Sequence, residues 1–158
     1  MGPHAIVLIP AYNEGKGIGR VIEEIRKILP GIEVLVIDDG SMDECRQRAI
    51  ETGAKVISHP FNLGYGSALQ TGYKYALKEG YGTIVQLDGD GQHDPSYIPD
   101  LLAVVQRDEA DIAIGSRFLK SEKRESYGAS YRSPFTRRVG MKLFGSITSF
   151  DNVIERNR

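Results

Sequence analysis

The chain has 158 residues, enough for one domain with a proper core. With 41% hydrophobic and 26% charged residues it has the composition of a soluble globular protein. No apolar run approaches the roughly 18 residues of a membrane span, and no basic-then-apolar leader is visible. The net charge of −1 argues against general nucleic-acid binding, and one cysteine, Cys45, leaves no internal disulfide, so a cytoplasmic protein is expected.

The predicted elements alternate strand and helix. The apolar run "AIVLI" (5–9) ends at Pro10 as a buried strand would. From about Glu14 to Leu29, Ile18, Val21, Ile22, Ile25, Ile28 and Leu29 recur at helical spacing, and Pro30-Gly31 stops the helix. "VLVI" (34–37) is a second strand, followed by Ser41 as a candidate N-cap and a helix to about Thr52, with Gly53 as its C-cap. "KVISH" (55–59) gives a third strand, and a helix runs from Ala68 to Lys78. "TIVQL" (83–87) is the fourth strand, Pro95 to Arg107 the next helix, and "DIAIG" (111–115) the fifth strand.

Strands apolar throughout and separated by amphipathic helices predict a doubly wound, mostly parallel α/β sheet in three layers. Ligands of such sheets sit beyond the carboxyl ends of the strands. The segments just past those ends are Pro10 to Glu14, Asp38 to Ser41, Phe61 to Gly66, Asp88 to Asp90 and Gly115 to Arg117; four of the five are polar or acidic. Their convergence on one edge predicts an active site.

Beyond Phe118 the character changes. Residues 120–132 read as a loop and 134–149 as a basic amphipathic helix. Residues 1–116 carry 10 Lys+Arg against 17 Asp+Glu, whereas residues 117–158 carry 10 against 4. A basic tail of that kind suits phosphates or an anionic membrane surface, or is simply a solvated basic face. The expected division is 1–118 as the core that carries these strand-end segments and 119–158 as a loop plus basic helix.

Several chemistries are excluded by spacing. A calcium loop starting at Asp88 wants Gly at its sixth position and Glu at its twelfth, where His93 and Pro99 stand. No G-x-G-x-x-G follows the first strand, no P-loop is present, and no G-x-S-x-G supplies a nucleophile. What remains is a carboxylate-held hard cation. Asp88 and Asp90, one residue apart on a turn, can present oxygens to one side, and Gln92 can add a neutral one. Magnesium or manganese held so would neutralise a departing diphosphate.

With these residues in place, the chain resembles the inverting family 2 glycosyltransferases, and among them the dolichol-phosphate mannosyltransferase-like branch. The matching stretches are "VLIPAYNE", "VLVIDDGSMD", "HPFNLGYGSALQTGY", "VQLDGDGQHDP" and "IAIGSRF", in the family's order over roughly residues 5–118. The resemblance implies a GT-A fold and a nucleotide-diphosphate sugar donor of the GDP-mannose or UDP-glucose type. It implies that Pro10, Tyr12 and Glu14 hold the nucleoside and that Asp39 contacts base or ribose, with backbone help from Ile37. Asp88 and Asp90 correspond to the D-x-D pair around Gly89, with Gln92 joining the metal, which is Mg2+ or Mn2+. Arg117 resembles an arginine that faces the donor diphosphate or an acceptor phosphate. Asp90 and Arg117 are the residues to which catalysis is assigned.

An acceptor that is a polyprenyl phosphate is already an anion and needs no general base, so the enzyme would mainly position two phosphorylated molecules. Arg132, Arg137 and Arg138 are candidates for drawing that phosphate, and the cytoplasmic membrane face, near. The absence of Trp sets the chain apart from the processive polysaccharide synthases. The closing stretch "SFDNVIERNR" does not resemble the family's next segment, so the acceptor half is expected to be incomplete. The alternative is a nucleotide-sugar-binding domain that needs missing segments or a partner chain. A sugar-phosphate nucleotidyltransferase is disfavoured because "PAYNEGKG" keeps an acid where that class has a basic glycine-rich loop. Apolar surface left by missing strands would favour self-association.

Overall fold

In the computed structural model, residues 4–115 and the backbone of residues 152–156 are described. The elements are β1 (Ala5–Ala11), α1 (Ile18–Ile28), β2 (Glu33–Asp38), α2 (Cys45–Glu51), β3 (Lys55–Ser58), α3 (Tyr65–Lys78) and β4 (Thr83–Gln86). A 3-10 turn (Pro95–Tyr97) then runs into α4 (Ile98–Gln106), followed by β5 (Ile112–Gly115) and β6 (Asn152–Arg156). The strand order is β3-β2-β1-β4-β6-β5, parallel from β3 through β4. β6 runs antiparallel between β4 and β5, with Val85 opposite Ile154 and Ala113 opposite Ile154 on the other side.

Alternation along the strands sorts their side chains onto two faces. Val7, Ile9, Val34, Val36 and Val85 join α1, α2 and α4 in one core. Ile6, Leu8, Leu35, Ile37 and Ile84 meet α3 in the other. Burying each such aliphatic side chain contributes about 1.5–3 kcal/mol, so the two cores dominate the fold's stability. Gly72 fixes how closely α3 lies on the sheet: a Cβ there would stand 2.2 Å from Leu8 Cδ1.

Three boundaries differ from the sequence pattern, each for a local reason. α1 starts at Ile18 rather than near Glu14, because Gly15 and Gly17 favour a turn in which Gly17 and Ile18 both donate to the Glu14 carbonyl. Ser41 does not cap α2. Its hydroxyl accepts the Asn13 N–H at 2.9 Å, and the Asp43 carboxylate takes the Cys45 N–H at 2.9 Å. α3 starts three residues earlier than Ala68, because Gly64, at φ 91°, turns the chain into the helix. The sequence pattern also gives no strand at 152–156, although that segment completes the sheet between β4 and β5.

Candidate active site

The carboxyl ends of β1, β2 and β4 meet at one edge, and the loops there are bound to one another. Asn13, at φ 57°, is locked between Ser41 and the Met42 N–H, which donates to Asn13 Oδ1 at 2.9 Å. The Gly15 N–H donates to Asp43 Oδ2 at 2.8 Å. The loops after β1 and β2 therefore form one unit rather than two independent segments.

At this edge Pro10 is buried, whereas the Tyr12 side chain stands 45% exposed and available to stack on a planar ring. The side chain of Ile37 is fully buried in the α3-side core, which leaves only its backbone toward the edge. Asp38 accepts the Ser41 N–H at 3.1 Å. Asp39 is 3% exposed: Oδ1 faces His59 Nδ1 at 2.7 Å and accepts the Leu63 N–H at 2.9 Å, and Oδ2 accepts the Gly64 N–H at 2.8 Å.

The turn after β4 packs directly under the start of α1. A Cβ on Gly89 would lie 3.3 Å from Ile18 Cδ1, and one on Gly17 would lie 3.3 Å from the Gly89 carbonyl oxygen. The carboxylates of Asp88 and Asp90 thus flank a backbone that cannot move far. Asp90 is exposed, its Oδ1 accepting the Gln92 N–H at 2.9 Å, and Gln92 is exposed beside it. Asp88 Oδ1 accepts from the Tyr65 hydroxyl at 3.1 Å, and its Oδ2 lies 3.9 Å from His93 Nε2. The Asp88 N–H donates to His93 Nδ1 at 3.3 Å, so Nε2 is the nitrogen that carries hydrogen in the neutral ring.

Glu14 senses the same carboxylates. Burial first, and then the charges of Asp90, Asp43 and Asp88, push its pKa above the usual carboxylate range. Acids crowded so closely favour a counter-cation, and the oxygen donors of Asp88, Asp90 and Gln92 suit a hard divalent ion such as Mg2+ or Mn2+. Among the described residues, no group of three or more His, Cys, Asp or Glu side chains is arranged to hold an ion. A cation here would rely on two carboxylates plus ligands such as phosphate oxygens and water.

The structure therefore brings together Pro10, Tyr12, Glu14, Ile37, Asp39, Asp88, Gly89, Asp90 and Gln92 at one edge. Arg117, Arg132, Arg137 and Arg138 lie outside the described residues, as do the loop at 120–132 and the helix at 134–149. Sequence reasoning missed the supporting side chains Asn13, His59, Tyr65, Gln86 and His93. Of these, only His59 had a readable signal: it ends the strand "KVISH" two residues past Ile57, in line with the core face.

The doubly wound sheet has the GT-A fold of nucleotide-sugar glycosyltransferases, as its solved structural neighbours do. The chain belongs to glycosyltransferase family 2, whose family model matches residues 6–153. It is 33% identical over 120 residues to the polyprenol monophosphomannose synthase of Mycolicibacterium smegmatis, a match covering 72% of this chain and 45% of that one. It is 34% identical over 139 residues to the dolichol-phosphate mannosyltransferase of Pyrococcus furiosus, covering 84% and 37%. Among solved structures it is similar to the glucosyl-3-phosphoglycerate synthase of Mycobacterium tuberculosis in complex with Mn2+, UDP-glucose and glycerol 3-phosphate. That likeness has a TM-score of 0.59 at 30% identity and covers 70% of this chain and 43% of that one. The chain spans about half the length of the curated relatives it matches. No helix among the described residues is long and apolar enough to cross a membrane.

Proposed function

We propose that the chain carries the donor half of an inverting glycosyltransferase that moves a hexose from a nucleotide-diphosphate sugar to a polyprenyl phosphate. The observation that carries this is the placement of Asp88 and Asp90 on a constrained turn whose charges reach Glu14, at the sheet edge that also bears Asp39. The names of the Mycolicibacterium and Pyrococcus relatives support the acceptor class and mannose as the sugar.

In this proposal Tyr12 and the β1 end receive the nucleoside, Asp39 and the Ile37 backbone border it, and Asp88, Asp90 and Gln92 would hold a divalent cation. That cation, when bound, supplies Lewis-acid neutralisation of the leaving diphosphate. Glu14 adds negative charge beside the site, which favours a cation and disfavours a second anion there. An acceptor phosphate is an anion at neutral pH, so transfer requires in-line placement rather than a general base. Arg117 is the proposed partner of the diphosphate, because a planar guanidinium matches phosphate oxygens two at a time. Arg132, Arg137 and Arg138 are proposed to draw the acceptor phosphate to the surface of a membrane, with the protein peripheral on its cytoplasmic face.

Calorimetric titration of GDP-mannose and UDP-glucose, each with Mn2+, Mg2+ or EDTA, tests the donor site. Metal-dependent binding of one nucleotide that disappears in Asp90→Ala is expected; no binding of either sinks the proposal. The half-length match favours a second possibility, a donor-binding module that turns over only with further segments or a partner chain. Transfer to polyprenyl phosphate in vesicles by this chain alone would exclude the module.

A further inference from the structure

β2 and β3 end side by side. Asp38 lies opposite Ser58 in the parallel ladder, and the His59 N–H extends it onto the Asp38 carbonyl at 2.9 Å. Strand alternation then places Asp39 two residues past Ile37, and His59 two past Ile57, on the face that α3 covers. Leu35, Ile37 and Ile57 make that face apolar immediately before these two positions. A carboxylate at its end is strongly disfavoured unless its oxygens are satisfied.

They are satisfied by two backbone amides and one ring. Beyond the Asp39 contact at Nδ1, His59 Nε2 lies 2.9 Å from Thr71 Oγ1, whose own hydrogen goes to the Ser67 carbonyl at 3.0 Å. Both ring nitrogens are thus engaged, Nδ1 with the carboxylate and Nε2 with the threonine hydroxyl. One side chain thereby ties the end of β2, the end of β3 and the second turn of α3. The amides that share Asp39 with it, Leu63 and Gly64, form the entry into α3.

We propose that His59 is a positioning residue for donor binding: by fixing Asp39 it holds the Leu63–Gly64 backbone and the start of α3 at the nucleoside end of the site. This rests on the donor proposal above. The ligand concerned is a nucleoside diphosphate. His59 itself touches none of it and acts through Asp39 and the loop. A leucine at 59 would continue the apolar stripe and fill the space, but Asp39 would lose a hydrogen-bond donor. The carboxylate would then recruit water or turn away, releasing the two amides.

The test uses the full chain with UDP and GDP as probes in the presence of Mn2+, comparing wild type with His59→Leu, His59→Asn and Thr71→Val. Nucleotide affinity is read by calorimetry, Mn2+ binding by electron paramagnetic resonance, and the Leu63 and Gly64 amides by hydrogen exchange. His59→Leu is expected to weaken nucleotide binding about tenfold and speed exchange of both amides, with Mn2+ binding unchanged. His59→Asn, whose amide N–H replaces that of Nδ1, is expected to recover most of the loss, and Thr71→Val to fall between. Nucleotide affinity in His59→Leu within about twofold of wild type overturns the proposal, as does an asparagine that does no better than leucine. If wild type takes up neither nucleotide, the donor proposal falls and the assignment to donor binding falls with it. The exchange rates then decide separately whether the His59 tie exists.

Discussion

The Tyr65 hydroxyl donates to Asp88 Oδ1 at 3.1 Å and is itself held from behind, because the Gln86 amide donates to it at 2.9 Å while accepting from the Tyr73 hydroxyl at 2.6 Å. Tyr65 and Tyr73 stand on α3 and Gln86 on β4, so the helix on one face of the sheet orients a carboxylate at its edge. Burial, and then the Asp88 charge, raise the Tyr65 pKa well above that of a free phenol, which keeps the hydroxyl a donor at neutral pH. With Oδ1 engaged, Oδ2 is the oxygen left for the proposed cation.

Tyr65→Phe removes that donor and leaves the Gln86 amide without its acceptor. The fold should lose about 1 kcal/mol, a typical net hydrogen-bond contribution. The larger effect is expected on the metal, since removing a residue that orients a metal ligand weakens metal affinity about tenfold or more. Titrating Mn2+ at a fixed nucleotide concentration measures it. An unchanged Mn2+ affinity would show that Asp88 needs no help from α3.

Gly40 and Phe61 set a second constraint, where the loop after β2 passes the loop after β3. Gly40 has φ 73°, and a Cβ on it would lie 2.5 Å from the Phe61 carbonyl carbon and 2.7 Å from the Asn62 N. Backbone cannot swing aside as a side-chain tip can. Gly40→Ala is therefore expected to cost about 2–3 kcal/mol from the left-handed conformation and the collision together, and to push the 61–64 loop outward. Urea denaturation reads the stability; a loss below about 0.5 kcal/mol would mean the loops separate freely.

Gly72 against Leu8 offers a cleaner separation of packing from conformation, because Gly72 sits within a regular helix. Alanine there gains about 1 kcal/mol in helix propensity but must displace Leu8 Cδ1, so overpacking by about 1–3 kcal/mol should win. Leu8→Ala in the same chain opens the space. A double-mutant cycle should show Gly72→Ala destabilising with Leu8 present and neutral or stabilising without it. Additive effects would place the helix further from the sheet.

Much of this was readable from the residues, for reasons that also explain what was not. The strands β1, β2 and β4 announce themselves because both faces are buried, which gives continuous apolar runs, and carboxylates follow the β2 and β4 runs immediately. β6 is different. "NVIER" has only two apolar residues and a charged end, and a strand inserted antiparallel far along the chain is specified by its neighbours β4 and β5 rather than by its own pattern. The start of α3 was hidden because "GYGSAL" carries two glycines, one of which turns the chain while the other lies inside the helix. Asp88 and Asp90 were legible as adjacent carboxylates at a strand end. Their supports were not, since Tyr65 and Gln86 are 21 residues apart and meet only through the packing of α3 on the sheet.

Asp39 makes the site's pH dependence predictable. Burial alone would raise its pKa, but the Leu63 N–H, the His59 ring and the Gly64 N–H outweigh that and hold the carboxyl below its ordinary 3.8. A folded-state pKa below the unfolded one means that ionised Asp39 stabilises the native state at every pH above 3.8, and that this contribution is lost as pH falls through 3.8 toward the lower folded value. Asp39→Asn removes the titration and places amide hydrogens where the surroundings already supply hydrogens. The variant should be less stable than wild type at neutral pH, with the gap constant down to about pH 5 and closing as the pH falls below 3.8. Urea midpoints of the two proteins from pH 7 to pH 3 measure it. A gap that stays constant to the lowest pH would mean that the Asp39 carboxyl titrates alike in the folded and unfolded chain, and that the two amides and the imidazole give its charge no net preference.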